Sequence, residues 1–304
     1  MPPDDKSLLI ILAGPTAIGK TDLAVDIAHK LNTCIIGCDS RQFYKELKIG
    51  TAPPSEEQLK KVQHHFVQFL SIHDYYNVSK YENDVNARLS EFFKTNRAVV
   101  LVGGSGLYID AVVKGIDDMP DIDTELRDDL NRQLSEKGLE WLRAQLQKLD
   151  FETYQKIDLS NKNRILRAVE VCLQTGMPYS SFLKRQSKSR PYKMLKIALD
   201  MPRELLYDRI NNRVDIMIKQ GLVEEVKHYY PFKNLVALKT VGYKELFDYF
   251  DNKITLEEAI DLIKRNTRKY ARKQLTWFRR DKEYHWFHPG AKDQIMNFIL
   301  SQLK

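Results

Sequence analysis

Short apolar runs alternate with amphipathic stretches over the first third of the chain. The runs at 8–13, 33–38 and 98–102 are rich in Leu, Ile and Val, which predicts buried strands. Between them, apolar residues recur at helical spacing, which predicts helices at 20–31, 79–95 and 105–114. Because strands that alternate with helices are typical of a parallel sheet covered on both faces, the pattern predicts an α/β fold.

The pattern changes between residues 116 and 190, where no strand is evident. Leucines recur there at helical spacing, and a further helix, NKNRILRAVEVCLQTGMP, is closed by Gly176 and Pro178. We therefore expect an all-α insertion domain at 116–190, with residues 1–115 and 191–304 forming the core domain. The strand MLKIALDMP should rejoin the first sheet, and four more helices are predicted after it, at 203–219, 221–230, 242–250 and 255–281.

Composition places the chain among soluble globular proteins. Its 304 residues are 43% apolar and carry a net charge of +7, and the mean hydropathy is −0.46. No apolar run approaches the roughly 20 residues that cross a bilayer, and the acidic N-terminus does not resemble an export signal. Three cysteines, Cys34, Cys38 and Cys172, are too few for a disulfide framework and are expected to be buried free thiols. A cytoplasmic location fits.

The first strand is followed by a phosphate-binding pattern, Gly14, four residues and then Gly19-Lys20-Thr21. A loop of this kind between a strand and a helix surrounds phosphate oxygens with backbone N–H groups at a helix N-terminus. Lys20 would hold the outer phosphates and Thr21 would ligate Mg²⁺. The other interpretation, a structural glycine turn, accounts less well for the combined pattern. The predicted phosphate-binding residues are Gly14, Pro15, Thr16, Ala17, Ile18, Gly19, Lys20 and Thr21.

A carboxylate is expected beside this loop, and the sequence offers Asp39. An ordinary nucleotide hydrolase has a metal-binding acid at the end of a later strand, but RAVVLVGGSGLY ends in Gly103-Gly104-Ser105-Gly106 instead. Asp39 follows the second strand, and chemistry in a parallel sheet collects at such strand ends. It could act as a base facing a nucleophile, or it could cap a helix or support a metal. The glycine turn suggests a surface that a ligand approaches closely.

Basic residues concentrate near the C-terminus. The segment KRNTRKYARKQLTWFRRDK, from Lys264 to Lys282, has nine Lys and Arg and one acid. Basic side chains interleaved with Tyr270, Trp277 and Phe278 suit a docked helix whose basic face meets nucleic-acid phosphates, and they suit an ordinary amphipathic surface helix equally well. Arg164 and Arg167 share a helix face, which is usually a solvated one.

Six segments together resemble one family. GPTAIGKT, DSRQFYKELKIGTAPP, LVGGSGLYI, NRILRAVEV, VGYKE and TRKYARKQLTWFRR occur in this order, and the chain thereby resembles the tRNA dimethylallyltransferases (tRNA isopentenyltransferases) of the shorter, bacterial type. The segment EYHWFHPG has no cysteine of the zinc finger found in eukaryotic members. The resemblance implies a P-loop NTPase-like core. It also implies Mg²⁺-dependent transfer of a dimethylallyl group from dimethylallyl diphosphate to N6 of the adenosine 3′ of the tRNA anticodon.

The resemblance also implies roles for particular residues. Asp39 would be the general base, and Lys20 and Arg213 would neutralise the leaving diphosphate. Ser105 would be a further catalytic residue that lines the adenine contact. The residues implied to contact the anticodon stem-loop are Asp39, Ser40, Arg41, Gln42, Ser105, Arg127, Asn163, Arg164, Ile165, Leu166, Arg167, Thr240, Val241, Gly242, Tyr243, Lys244 and Glu245. Two positions depart from the family: Ser105 replaces a usual threonine, and Pro53 replaces a usual lysine.

Three other functions remain to be weighed. An enzyme that prenylates free adenine nucleotides would share the loop and Asp39 but would need neither the helical insertion nor the basic helix. A P-loop kinase or NTPase would need the missing carboxylate, and an RNA-binding module would leave Lys20, Thr21 and Asp39 without a purpose. The sequence favours a tRNA substrate, does not suggest membrane association and does not require more than a monomer.

Overall fold

The computed structural model describes residues 7–183 and 187–303. Within them, the central element is a six-stranded, all-parallel sheet in the order β3-β2-β4-β1-β5-β6. The strands are β1 (Leu8–Ala13), β2 (Ile35–Gly37), β3 (His64–His65), β4 (Ala98–Val102), β5 (Lys193–Leu199) and β6 (His285–Phe287). The predicted α/β class is confirmed, and β5 pairs with β1 as predicted.

Helices cover both faces of this sheet and build a separate helical region. They are α1 (Lys20–Lys30), α2 (Glu56–Lys61), α3 (Val78–Phe92), α4 (Gly106–Lys114), α5 (Thr124–Leu149), α6 (Phe151–Lys156), α7 (Lys162–Thr175), α8 (Arg203–Lys219), α9 (Leu222–His228), α10 (Tyr243–Phe250), α11 (Leu256–Phe278) and α12 (Lys292–Gln302). Short 3₁₀ turns occur at Tyr179–Phe182, Tyr230–Phe232 and Val236–Leu238. The strands β3 and β6 and the helices α2, α6 and α12 were not predicted.

Alternating side chains of the strands enter two hydrophobic cores. On β1, Leu8, Ile10 and Leu12 pack with α1, α8 and α12, while Leu9 and Ile11 face α3 and α4. Burial on both faces explains why these strands read as continuous apolar runs rather than alternating ones. A third core joins α8, α9, α10 and α11.

The described residues divide into two compact units. One consists of residues up to Val113 together with those from Ser189 onward, and the other is Lys114–Lys188. The second unit is helical, with Leu130, Leu142 and Leu146 of α5 packed on Ile165 and Val169 of α7. Helix α5 changes direction at Gly138, whose φ of 79° is outside the helical region.

Candidate active site

The loop between β1 and α1 has the form required for binding phosphate. Gly19 begins α1 in the left-handed conformation, with φ 98°, and supplies no side-chain cap. The first-turn N–H groups of α1 therefore have no side-chain acceptor at the helix start, where the helix dipole favours anions. Gly14 has φ +146°, and a Cβ there would lie 3.0 Å from the carbonyl oxygen of Leu199. Glycine at position 14 therefore allows the loop to lie directly against the end of β5, where a side chain would be strained.

Cations surround this loop. Lys20 donates from Nζ to the carbonyl oxygen of Pro15 at 2.7 Å. Burial lowers the pKa of Lys20 to about 8, with Asp39 opposing the shift and Arg213 adding to it. Arg213 lies 3.5 Å from the Thr16 hydroxyl, and burial lowers its pKa too. A bound anion would relieve the cost of holding these two cations close together.

Asp39 follows β2 in a turn that several backbone contacts hold. Its Oδ1 accepts from the N–H of Arg41 at 3.1 Å, and the N–H of Ser40 donates to Ser105 Oγ at 3.1 Å. Gln42 donates from Nε2 to the carbonyl oxygens of Thr51 and Ala52 at 3.1 and 2.8 Å. The carboxylate is therefore held by a turn that is anchored on both sides.

The glycines of the 103–106 turn serve internal packing. A Cβ on Gly103 would lie 1.8 Å from the carbonyl oxygen of Cys38. One on Gly106 would lie 2.4 Å from the Trp277 ring. The groups that approach these glycines closely are the Cys38 backbone, directly after β2, and side chains of α11, and Gly103 also borders a cavity. The turn contributes to the site by placing Ser105 next to Ser40.

Two cavities meet at Asp39. The first, about 490 Å³, contains the phosphate loop with Lys20 and Thr21. The second, about 500 Å³, extends toward α10 and α11. The residues that line both are Thr16, Asp39, Thr51 and Arg213.

The second cavity is bordered by cations and a phenol. Its lining includes Lys239, Lys244, Lys269 and Lys273, and all four lysines are exposed, with no ion-pair partner among the described residues. Tyr270 is partly exposed beside these lysines, and partial desolvation and then the charge of Asp39 raise the pKa of its phenol. The predicted basic helix therefore turns one basic face into a cavity that also contains Asp39.

Within the predicted turn at 240–245, some side chains are exposed to the second cavity and others are buried or hydrogen-bonded within the protein. Thr240, Val241, Gly242, Lys244 and Glu245 line the second cavity. Tyr243 is fully buried, and Glu245 bonds the N–H of Gly242 and the amide of Asn266. Tyr243 and Glu245 therefore shape the turn, whereas Lys244 is the side chain free to meet a ligand.

The helical unit has a cavity of its own, of about 570 Å³, lined in part by Asn163, Arg164 and Arg167. Ile165 and Leu166, predicted in the same stretch, are 0% and 4% exposed in the hydrophobic core. Helical spacing turns these two positions inward, so any part they have in the predicted RNA contact is through the helix that they anchor. Their packing fixes the position of the exposed Asn163 and Arg164 on the same helix.

Arg127 and Arg167 both bind one buried carboxylate. Arg127 donates from Nε to Glu170 Oε1 at 2.9 Å, and Arg167 donates from NH1 to Glu170 Oε2 at 2.7 Å. Glu170 is completely buried, so removing either arginine would leave its charge less well compensated. Both arginines thus have a structural role that sequence analysis did not identify.

Further residues of α8, besides the predicted Arg213, were not predicted from the sequence. Arg209 donates from Nε to the carbonyl oxygen of Ala17 at 2.8 Å, and Asn212 lines the phosphate cavity. Arg209, Asn212, Arg213 and Ile216 all line that cavity and are spaced i, i+3, i+4 and i+7, which is one helix face. That spacing is the signal that could have found them.

Two features are absent from the residues that the structure describes. No cluster of three or more His, Cys, Asp or Glu side chains there could hold a metal ion, and no helix there is both long and apolar enough to cross a bilayer. The three cysteines are free and buried, as predicted.

Comparisons with known proteins show the family of this chain. The family model described as IPP transferase matches residues 42–281. This chain belongs to that family. It is 50% identical over 293 residues to tRNA dimethylallyltransferase 1 of Phocaeicola vulgatus, covering 96% of this chain and 98% of the relative. It is 51% identical over 296 residues to tRNA dimethylallyltransferase of Christiangramia forsetii, covering 97% and 98%.

Solved structures of IPP transferases match over nearly the whole chain. The full-length tRNA isopentenylpyrophosphate transferase of Bacillus halodurans is 36% identical, with a TM-score of 0.72 and coverage of 98% and 97%. A eukaryotic dimethylallyltransferase acting on tRNA shares the fold at 21% identity, with a TM-score of 0.79 and coverage of 97% and 80%. The predicted family, P-loop-like fold and prenyltransferase class are confirmed.

Proposed function

We propose that this chain transfers a dimethylallyl group from dimethylallyl diphosphate to N6 of the adenosine 3′ of the tRNA anticodon, releasing diphosphate. The observation that carries the proposal is that Asp39 lies where the phosphate cavity and the basic cavity meet. One substrate carries a diphosphate and the other is a nucleic acid, so a reaction between them requires two such cavities with a base at their junction.

The donor occupies the phosphate cavity. Amides of the loop and the first turn of α1 bind the diphosphate, and Lys20 and Arg213 neutralise the charge that grows on it as the carbon–oxygen bond breaks. Thr21 lines the same cavity. Mg²⁺ prefers oxygen ligands and is commonly held by substrate phosphates with few protein groups, so the absence of an acidic cluster among the described residues is compatible with one hydroxyl ligand. When bound there, Mg²⁺ would add positive charge beside the leaving diphosphate.

The acceptor adenine enters from the basic cavity. An adenosine stacked in an anticodon loop has to be turned out of the loop to reach Asp39. The N6 nitrogen attacks the allylic carbon, the new carbon–nitrogen bond replaces the carbon–oxygen bond, and Asp39 accepts the amino proton. The N6 lone pair is delocalised into the ring, so the nearby carboxylate matters.

RNA contacts come from both units in this proposal. Ser40, Arg41, Gln42 and Ser105 bind near the adenine, and Lys244 with the lysines of α11 binds phosphates. In the helical unit, Asn163 and Arg164 are the exposed side chains that contact the stem-loop. Action as a monomer in the cytoplasm remains part of the proposal.

Transfer of labelled dimethylallyl to unmodified tRNA tests the function. The assay contains Mg²⁺ and is run beside one with AMP as acceptor. Wild type is compared with Asp39→Ala and with Asp208→Ala, which changes an exposed aspartate of α8 that lines neither cavity. We expect label on tRNA alone, lost in the first variant and kept in the second. Label on AMP, or ATP hydrolysis without transfer, would overturn the proposal.

A further inference from the structure

Gln274 lies on α11 with its side chain buried between two loops. Its Oε1 accepts from the N–H of Thr16 at 2.9 Å, and its Nε2 donates to the carbonyl oxygen of Gly104 at 2.8 Å. A backbone N–H can only donate and a carbonyl can only accept, so the two partners determine the orientation of this amide. The side chain is only 5% exposed.

The fit around this amide is tight. A Cβ on Gly104 would lie 2.2 Å from Gln274 Nε2, so the contact requires glycine at that position. One turn further along α11, Trp277 packs on Gly106 and donates from Nε1 to Asp110 at 2.9 Å. Two side chains of α11 therefore hold the glycine turn from the same side.

Gln274 joins the loop proposed to bind the diphosphate to the glycine turn that contacts the Asp39 turn. Thr16 belongs to the phosphate loop and lines both cavities. Ser105 follows Gly104 directly, and its hydroxyl accepts from the N–H of Ser40, the residue after Asp39. One amide thus connects the loop for the leaving diphosphate to the turn that carries the base.

We propose that Gln274 is a positioning residue that holds the phosphate loop and the Asp39 turn at a fixed separation. The inference rests on the proposed function and adds a residue that touches neither the donor nor the acceptor. An error of about 1 Å in the placement of reacting groups can cost on the order of 100-fold in rate. The neighbouring residues Lys269, Tyr270 and Lys273 line the basic cavity. The helix that would contact the acceptor RNA therefore also holds the phosphate loop.

Gln274→Met tests the inference, because methionine is similar in length and volume but makes neither hydrogen bond. We expect kcat to fall at least about 10-fold, which is roughly 1.4 kcal/mol in the barrier, while KM for tRNA changes less than about twofold. Ile299→Ala is the matched control, since it removes buried atoms of α12 far along the chain from both loops. If the control loses as much kcat at equal loss of Tm, or if Gln274→Met retains full kcat, the inference is wrong.

Gln274→Glu separates positioning from packing. A protonated carboxyl group can accept from Thr16 and donate to Gly104 as the amide does, whereas the ionised form cannot donate. Burial beside a carbonyl raises the pKa of the introduced group. The ratio of variant to wild-type kcat should therefore rise as pH falls from about 8 to about 6, and a flat ratio would contradict the inference.

Hydrogen exchange at Thr16 distinguishes failure of this inference from failure of the proposed function. The Thr16 amide should exchange faster in Gln274→Met than in wild type, and this measurement requires no catalysis. An unchanged exchange rate would overturn the inference even in an active enzyme. A wild type that transfers nothing to tRNA would instead overturn the proposed function.

Discussion

The phenol of Tyr243 donates a hydrogen bond to Glu225 Oε1 across 2.6 Å. The same carboxylate accepts the backbone N–H groups of Lys48, Ile49 and Gly50 at 2.8–3.0 Å. A Cβ on Gly50 would lie 2.5 Å from the Tyr243 ring. This arrangement joins α9, α10 and the loop whose Thr51 lines both cavities.

Substitutions of this pair should affect the loop at 48–51 unequally. Tyr243→Phe removes one bond and should cost about 1 kcal/mol, whereas Glu225→Ala leaves three amides without an acceptor and should cost about 2–3 kcal/mol. Hydrogen exchange of the three amides checks this: it should accelerate strongly in Glu225→Ala and weakly in Tyr243→Phe. Equal acceleration in both variants would contradict this prediction, because it would make the phenol as important as the carboxylate in ordering the loop.

Asp39→Asn should separate chemistry from donor binding. Loss of the base should lower kcat on the order of 10²–10⁴-fold. Inorganic diphosphate should bind at least as tightly, because a negative charge beside the phosphate cavity is removed. Single-turnover transfer and calorimetric titration with diphosphate measure the two effects. Weaker diphosphate binding with unchanged single-turnover rate would assign Asp39 to the donor site instead.

Lys20 should destabilise the unliganded fold near neutral pH. Its pKa is about 8 when folded and 10.5 in the absence of perturbation, so between these values the unfolded chain binds the extra proton. Stability therefore increases with pH across that window, and the penalty is fully present below pH 8. Lys20→Met removes the penalty, so its Tm relative to wild type should decline as pH rises from about 8 to about 10. Thermal unfolding across that range is the test, and a constant difference would be the contrary result.

The same shift predicts proton uptake on donor binding. A bound diphosphate should raise the pKa of Lys20 again, so wild type should take up protons when it binds diphosphate at pH 8.5 to 9. Calorimetry in buffers of different ionisation enthalpy measures this uptake, and Lys20→Met should lack it.

Neighbouring residues of α7 should respond in opposite ways. Arg164→Ala removes an exposed cation and should weaken tRNA binding with little change in unfolding free energy. Ile165→Ala empties a fully buried site and should cost about 2–4 kcal/mol in stability of the helical unit. Filter binding of an anticodon stem-loop and urea unfolding give the two readouts. Equal loss of RNA affinity in both variants at a temperature where both are folded would contradict the assignment.

Sequence patterns identified the elements whose signals are local. The strands β1 and β4, the phosphate loop and the long α11 follow from apolar runs, glycine spacing and helical periodicity. Strand β3 has two residues and β6 has three, which is too short for a periodic signal. The helix α12 has only Ile295, Met296 and Ile299 buried and follows the last segment predicted.

Site residues were predictable where a motif carries them and unpredictable where the fold brings them in. Asp39 and Lys20 stand in recognisable patterns, whereas Arg209, Glu225 and Gln274 act through backbone groups between about 170 and 260 positions away. Arg127 and Glu170 are 43 positions apart in the sequence, and their pairing was not predictable for the same reason. Such pairings depend on which loops the sheet order makes neighbours, and the local pattern does not contain that information.

The place of β1 in the sheet also constrains the order in which the protein can assemble during synthesis. Its Leu8–Ala13 segment pairs on one side with β4 and on the other with β5, which ends at Leu199. One edge of this fully buried, apolar strand thus has no partner until roughly another hundred residues after β4 have left the ribosome. An unpaired apolar edge attracts other chains, whereas the helical unit made in that interval has a core of its own. The period of greatest aggregation risk should end when β5 emerges.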